Sequence, residues 1–123
     1  MTIFVCLAAA VAASAQSSYT WANQVGNTTW YNGAVNGWSN QIGNTTWYNL
    51  NGTTSWANKV GNTTYYNGAM SGYSMPVGNS VIYDDYRSNA TTWATPIGGT
   101  TWYSGAVNGY SNRVGNTTWY WLH

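Results

Sequence analysis

Residues 21–31 read WANQVGNTTWY, and the same eleven-residue phrase returns with variations at 38–48 (WSNQIGNTTWY), 56–66 (WANKVGNTTYY), 73–83 (YSMPVGNSVIY), 93–103 (WATPIGGTTWY) and 110–120 (YSNRVGNTTWY). The central glycines Gly26, Gly43, Gly61, Gly78, Gly98 and Gly115 are 17, 18, 17, 20 and 17 residues apart. Every change of length falls between the phrases, in NGAVNG, NLNGTTS, NGAMSG, DDYRSNATT and SGAVNG. An insertion inside a strand shifts its register and turns its side chains to the wrong face, whereas a loop absorbs it. The phrases are therefore the structural units and the stretches between them are loops.

Each phrase reads as two short strands about a Gly-Asn turn. Glycine at the first turn position supplies the positive φ of a type II′ hairpin. That turn sets Val25 opposite Thr28, Gln24 opposite Thr29, Asn23 opposite Trp30 and Ala22 opposite Tyr31. Period-two alternation then puts Trp21, Asn23, Val25, Thr28 and Trp30 on one face, and Ala22, Gln24, Thr29 and Tyr31 on the other. The first face is the more apolar and is expected to be the core. Its columns are Trp21, Trp38, Trp56, Tyr73, Trp93 and Tyr110; Val25, Ile42, Val60, Val77, Ile97 and Val114; and Trp30, Trp47, Tyr65, Ile82, Trp102 and Trp119. Recurrent Gly, Asn and β-branched residues exclude a helix in each unit.

The expected fold is an all-β tandem repeat of six two-strand units of about 17 residues, arranged as a β-solenoid in which equivalent side chains stack about 4.8 Å apart. The near-identity of the units and the neutral ladders they would form favour stacking. The alternative is an antiparallel meander or barrel, with successive hairpins side by side. The phrase Gln24-Val25-Gly26-Asn27, repeated as Gln41-Ile42-Gly43-Asn44, resembles the repeats of bacterial curli-type amyloid subunits, and that resemblance implies stacked two-strand rungs. The present unit is shorter and lacks the second glycine and closing glutamine of those repeats. The fourth unit departs furthest from the pattern, and Pro76 and Pro96 stand where Gln24 stands in the first, each removing a ladder donor.

The 123 residues carry three Lys or Arg and two Asp, a net charge of +1, and only 4% are charged. In their place stand 16 Asn, 17 Thr and 14 Gly, with nine Trp and eleven Tyr. Without a basic stripe to neutralise phosphates, nucleic acid is not an expected partner. Residues 1–15 form an apolar segment ending Ala13-Ser14-Ala15, the small-x-small form of a signal-peptidase site, so secretion is expected, with 16–123 as a single repeat domain. That segment holds Cys6, the one cysteine, and its removal leaves no disulfide and no membrane-spanning stretch.

No catalytic constellation is legible, and neither enzymatic activity nor a cofactor is expected. His123 is the single histidine, and Asp84 and Asp85 are neighbours that point to opposite faces of a strand. The serines and threonines have no base in view to activate them. Asn-x-Ser/Thr sequons occur at Asn27, Asn44, Asn51, Asn62, Asn89 and Asn116, four of them on hairpin tips, and these are candidate glycosylation sites. The tyrosine column Tyr31, Tyr48, Tyr66, Tyr83, Tyr103 and Tyr120 lies on the less apolar face, either as a platform for stacking on sugar rings or as a second core layer. Ice binding would need paired threonines on one face, but Thr28 and Thr29 point opposite ways and Val81 interrupts the Thr29 column. Low charge leaves sheet edges unguarded. The leading expectation is thus a secreted structural or surface-coating protein that associates with itself through those edges in an extracellular matrix. A carbohydrate-binding or defence protein, with glycans or matrix polymers as partners, is the alternative.

Overall fold

The computed structural model describes residues 18–69, 71–86 and 89–122. The expected leader at 1–15, Arg87 and His123 lie outside the described residues. Twelve strands follow in chain order: β1 (Ser18–Val25), β2 (Thr28–Gly33), β3 (Gly37–Ile42), β4 (Thr45–Leu50), β5 (Thr53–Val60), β6 (Thr63–Gly68), β7 (Gly72–Val77), β8 (Ser80–Asp85), β9 (Ala90–Ile97), β10 (Thr100–Gly105), β11 (Gly109–Val114) and β12 (Thr117–Leu122). Each pairs antiparallel with its neighbours in sequence, and β12 returns to pair with β1.

The hairpins form about the turn that the sequence dictates. Gly26 has φ +62° and Asn27 does not share the positive φ, as a II′ turn requires. Val25 faces Thr28 and Ala22 faces Tyr31. The expectation of a β-solenoid is overturned at the next level. Stacked rungs would pair like strands of successive units, β1 with β3, whereas β2 pairs antiparallel with β3 and β4 with β5. The physical reason is connector length. Only residues 34–36 separate β2 from β3, which suffices to reverse the chain, whereas a parallel return takes a crossover of roughly a dozen residues or more. The meander that results closes into a barrel.

Register tilts the strands. The direct partners Gln24, Thr29, Ser39, Tyr48, Ser55 and Gly68 start beside a hairpin tip and end at a connector, so no strand runs along the barrel axis. All six Gly-centred tips lie at one end and all connectors at the other.

The faces are the reverse of those the hydropathy pattern predicts. Val25, Ile42, Val60, Val77, Ile97 and Val114 stand on the outer surface, with Val25 63% and Val114 70% exposed. The Trp21, Trp38, Trp56, Tyr73, Trp93 and Tyr110 column also lies outside, partly or largely open to solvent. Inside are Tyr31, Tyr48, Tyr66, Tyr83, Tyr103 and Tyr120, all buried. Shape decides this. Each tyrosine faces a small residue across its hairpin, Tyr31 on Ala22, Tyr48 on Ser39, Tyr66 on Ala57, Tyr83 on Ser74, Tyr103 on Ala94 and Tyr120 on Ser111. Large against small fills a converging interior. The tryptophan columns have no such complement, because Trp30 is partnered by Trp38 and Trp47 by Trp56 across the seams.

The connector end is sealed by Val35, Val107, Leu50 and Leu122, all buried. The chain passes close to itself here. A Cβ at Gly37 or Gly109 would run into the carbonyl of Asn49 or Trp121, so only glycine fits beneath Leu50 and Leu122.

The barrel has threefold internal symmetry with two hairpins per third. Strands β1, β5 and β9 have eight residues and the other nine have six. Tyr31 shares a hydrogen bond of 3.2 Å with Ser39, Tyr66 one of 3.0 Å with Ser74, and Tyr103 one of 2.8 Å with Ser111. The amides of Ala34, Ala69 and Ala106 donate to the carbonyls of Tyr19, Thr54 and Thr91.

Candidate functional site

Outward positions of adjacent hairpins meet in pairs along the seams between units. The pairs are Trp21 with Trp119, Trp30 with Trp38, Trp47 with Trp56, Tyr65 with Tyr73, Ile82 with Trp93, and Trp102 with Tyr110. Five seams therefore carry two aromatic rings and the sixth carries one. Ring centroids are 6.1 Å apart for Trp21 and Trp119, 5.7 Å for Trp47 and Trp56, and 5.5 Å for Trp102 and Tyr110, with tilted planes. Tyr19 extends the first seam, 5.5 Å from Trp119 and 5.3 Å from Trp121. Such pairs are a normal unit of sheet stabilisation, worth roughly 0.2–1 kcal/mol each. They still leave much ring surface in water: Trp30 is 50% and Trp102 52% exposed.

A polar belt flanks this girdle on the side of the tips. The Thr28 hydroxyl donates to the Asn40 side-chain oxygen at 3.5 Å, Thr45 to Asn58 at 2.6 Å, Thr100 to Asn112 at 2.5 Å and Thr117 to Asn23 at 3.2 Å. Ser80 and Thr95 share the corresponding bond at 2.8 Å. The oxygen of each of these asparagines is engaged as an acceptor, and its amide N–H groups are further donors in the belt. Beyond the aromatic rings, Asn32, Asn49 and Asn67 are the direct partners of Trp21, Trp38 and Trp56. The outer wall is thus a ring of half-exposed aromatics bordered on both sides by amides and hydroxyls.

Among the described residues one charged side chain, Asp84, borders the girdle, as the cross-strand partner of Tyr73. Lys59 and Arg113 occupy inward-facing positions beside the tips, on β5 and β11. Asp84 and Asp85 sit at the connector end of β8. A hydrogen bond to Asp84, and its negative charge, hold the Tyr73 hydroxyl above the usual tyrosine range. The carboxylates lie on opposite faces of their strand as alternation requires, and among the described residues no three His, Cys, Asp or Glu side chains cluster as a metal site would need.

The tyrosine column offers no exposed platform. Tyr48 is 1% exposed and the other five are buried with it. Burial pushes the Tyr83 and Tyr120 hydroxyls well up and raises Tyr103 to about 12, where bonds from Ser111 and Thr101 pull the other way. The sequon asparagines Asn27, Asn44, Asn51, Asn62, Asn89 and Asn116 are all exposed. Asn51 and Asn89 adopt positive φ, and the Asn51 side chain accepts the Asn36 amide at 2.9 Å. The girdle itself is built from residues that the hydropathy pattern assigns to the core. The overlooked signal is the small-residue column Ala22, Ser39, Ala57, Ser74, Ala94 and Ser111, which marks the face where large side chains fit.

Compared with protein-family models, curated proteins and solved structures, the chain matches none.

Proposed function

We propose that this chain is a secreted, non-enzymatic carbohydrate-binding protein that holds neutral polysaccharide on the aromatic girdle. The observation that carries this reading is the outward aromatic pair at five of six seams, partly in water and bordered by asparagines and threonines. Exposed aromatic pairs repeated at so many seams mark a surface that meets a partner. Rigid aromatic rings lose little conformational entropy on stacking, and flanking amides satisfy ring hydroxyls. Among the described residues the one charge bordering the girdle is Asp84 beside Tyr73, and so sparse a charge suits a neutral polymer. Repetition round the wall allows several contacts along one polymer or with several, so modest sites add up to useful avidity.

Two competing readings fit less well. Self-association through sheet edges is the weaker reading, because β1 pairs with β12 and closes the sheet. A lipid-spanning barrel carries an apolar band about 25 Å tall. Strands of six to eight residues at about 3.3 Å per residue, tilted by roughly 40°, reach only about 15–20 Å. Their outer face is also interrupted by the Asn and Thr belt.

The test is retention of the soluble protein on insoluble chitin, cellulose and β-glucan, read by depletion from the supernatant. Wild type is expected to bind at least one polymer. The double substitution Trp47→Ala with Trp56→Ala is expected to weaken binding by about tenfold, and adding Trp30→Ala with Trp38→Ala to weaken it further. No retention on any polymer, or retention unaffected by the four substitutions, contradicts the proposal.

A further inference from the structure

The tip end of the barrel is open where the connector end is sealed, and a recess of about 280 Å³ enters it on one side, between β9–β12 and β1–β2. We propose that this recess binds a small hydroxyl-bearing molecule with an oxyanion, a carboxylate or a phosphate, through Arg113. The proposal rests on residues inside the barrel and is independent of the girdle.

Three departures from the repeat converge there. Pro96 replaces the glutamine of the first two units, Gly99 replaces the turn asparagine, and Arg113 brings a cation to the same inward position. Proline and glycine reduce side-chain bulk beside the guanidinium, which opens the space. Arg113 is fixed by its Nε donating to the Gly115 carbonyl at 3.1 Å, and its terminal amino groups stay available. The described carboxylates, Asp84 and Asp85, are at the other end of the barrel and do not neutralise it. A guanidinium so held is suited to bidentate recognition of an oxyanion.

Tyr120 supplies the second observation. Tyr31, Tyr66 and Tyr103 each bond a serine on the following strand, Ser39, Ser74 or Ser111. The residue in that relation to Tyr120 is Ala22, which has no hydroxyl. Among the described residues the Tyr120 hydroxyl has no hydrogen-bond partner, although the side chain is only 7% exposed and lines the recess. The hydroxyl opens on the recess, where a ligand hydroxyl or carboxylate oxygen would pair with it. Thr29, Thr118 and Gln24 add polar groups around the same space. Its volume lies just below the roughly 300–1,000 Å³ of drug-sized ligand cavities, which suits a ligand of monosaccharide size.

The experiment is titration of the isotope-labelled chain, made without glycosylation, with glucuronate, inorganic phosphate and glucose, followed by the amide resonances of Gly98, Gly99 and Asn116. Glucuronate, phosphate or both are expected to shift these resonances, and glucose to leave them in place. A shift with glucuronate alone assigns the site to a carboxylate, and one with phosphate to a phosphate group. Arg113→Gln is expected to weaken the response at least about tenfold. Arg113→Lys should retain part of it, and Lys59→Gln on the opposite wall should leave it unchanged. No response to either anion at about 10 mM, or equal responses in wild type and both Arg113 variants, overturns the proposal.

Discussion

At the residue scale, the deciding contrast is between two neighbours on β4. Tyr48 is 1% exposed among the lumen side chains, whereas Trp47 is 42% exposed beside Trp56. Tyr48→Ala leaves a cavity and is expected to cost about 3–5 kcal/mol. Trp47→Ala loses a cross-strand contact and partial burial, under about 2 kcal/mol. Chemical denaturation of the two variants checks the order; Trp47 as the costlier site would place the tryptophans inside. Alkaline pH probes the same interior. The raised hydroxyls of Tyr83, Tyr103 and Tyr120 remain protonated in the folded chain above pH 10, while their unfolded counterparts ionise. The unfolded state then binds fewer protons, so stability falls as pH rises from about 10 through the folded values. Tyr120→Phe breaks no bond within the protein and is expected to make that fall shallower, with little change at pH 7. An unaltered slope would place Tyr120 in water. The alternation of faces was legible in the sequence from Trp21 and Ala22 onward. Which face was inside was not, because side-chain hydropathy ranks tryptophan above tyrosine and says nothing of the small partner each tyrosine needs.

At the scale of the element, turn chemistry was the most legible feature, since the II′ turn at Gly26-Asn27 fixes every partner from Ala22 to Tyr31. The relation between hairpins was harder to read, because like units suit stacking as well as a meander. The discriminating detail lies in the short loops, where 34–36 tuck Val35 into the barrel with its amide donating to the Thr20 hydroxyl at 3.2 Å. Two glycines separate the two demands on the backbone. Gly43 sits on an open tip with φ +63°, and a Cβ there meets nothing within 4 Å. Gly72 has no positive φ, but a Cβ would collide with the Asp84 carbonyl. Gly43→Ala should cost about 1–2 kcal/mol from the left-handed backbone alone. Gly72→Ala requires β7 and β8 to separate and is expected to cost more. Thermal melts of the two variants give the order, and equal losses would remove close strand approach as the reason for glycine at the connector end.

For the whole molecule, the sequence repeats six times but the structure repeats three times. The alternation of Ala22, Ser39, Ala57, Ser74, Ala94 and Ser111 carries that doubling, together with loops that alternate between NGAVNG-like and other forms. Closure was the least legible property, because it depends on a pairing between the first and last strands that no local pattern encodes. It is also the property on which the rest stands: it removes the sheet edges, encloses the tyrosines in the interior and presents the aromatic pairs around the outer wall. Asn23 and Thr117 are direct partners across the closing seam, linked at 3.2 Å although 94 residues apart. They flank Gln24, whose amide bonds the Asn116 carbonyl, so they form a non-hydrogen-bonded pair with Cα atoms about 4.5 Å apart, a spacing that accepts a disulfide. The most direct measurement is therefore oxidation of the double variant Asn23→Cys with Thr117→Cys at low protein concentration, followed by peptide mapping and a melt. The barrel predicts an intramolecular disulfide in nearly every molecule, with a higher melting temperature. Free thiols, or cross-links only between molecules, would mean that the first and last hairpins do not meet and would contradict the closed fold.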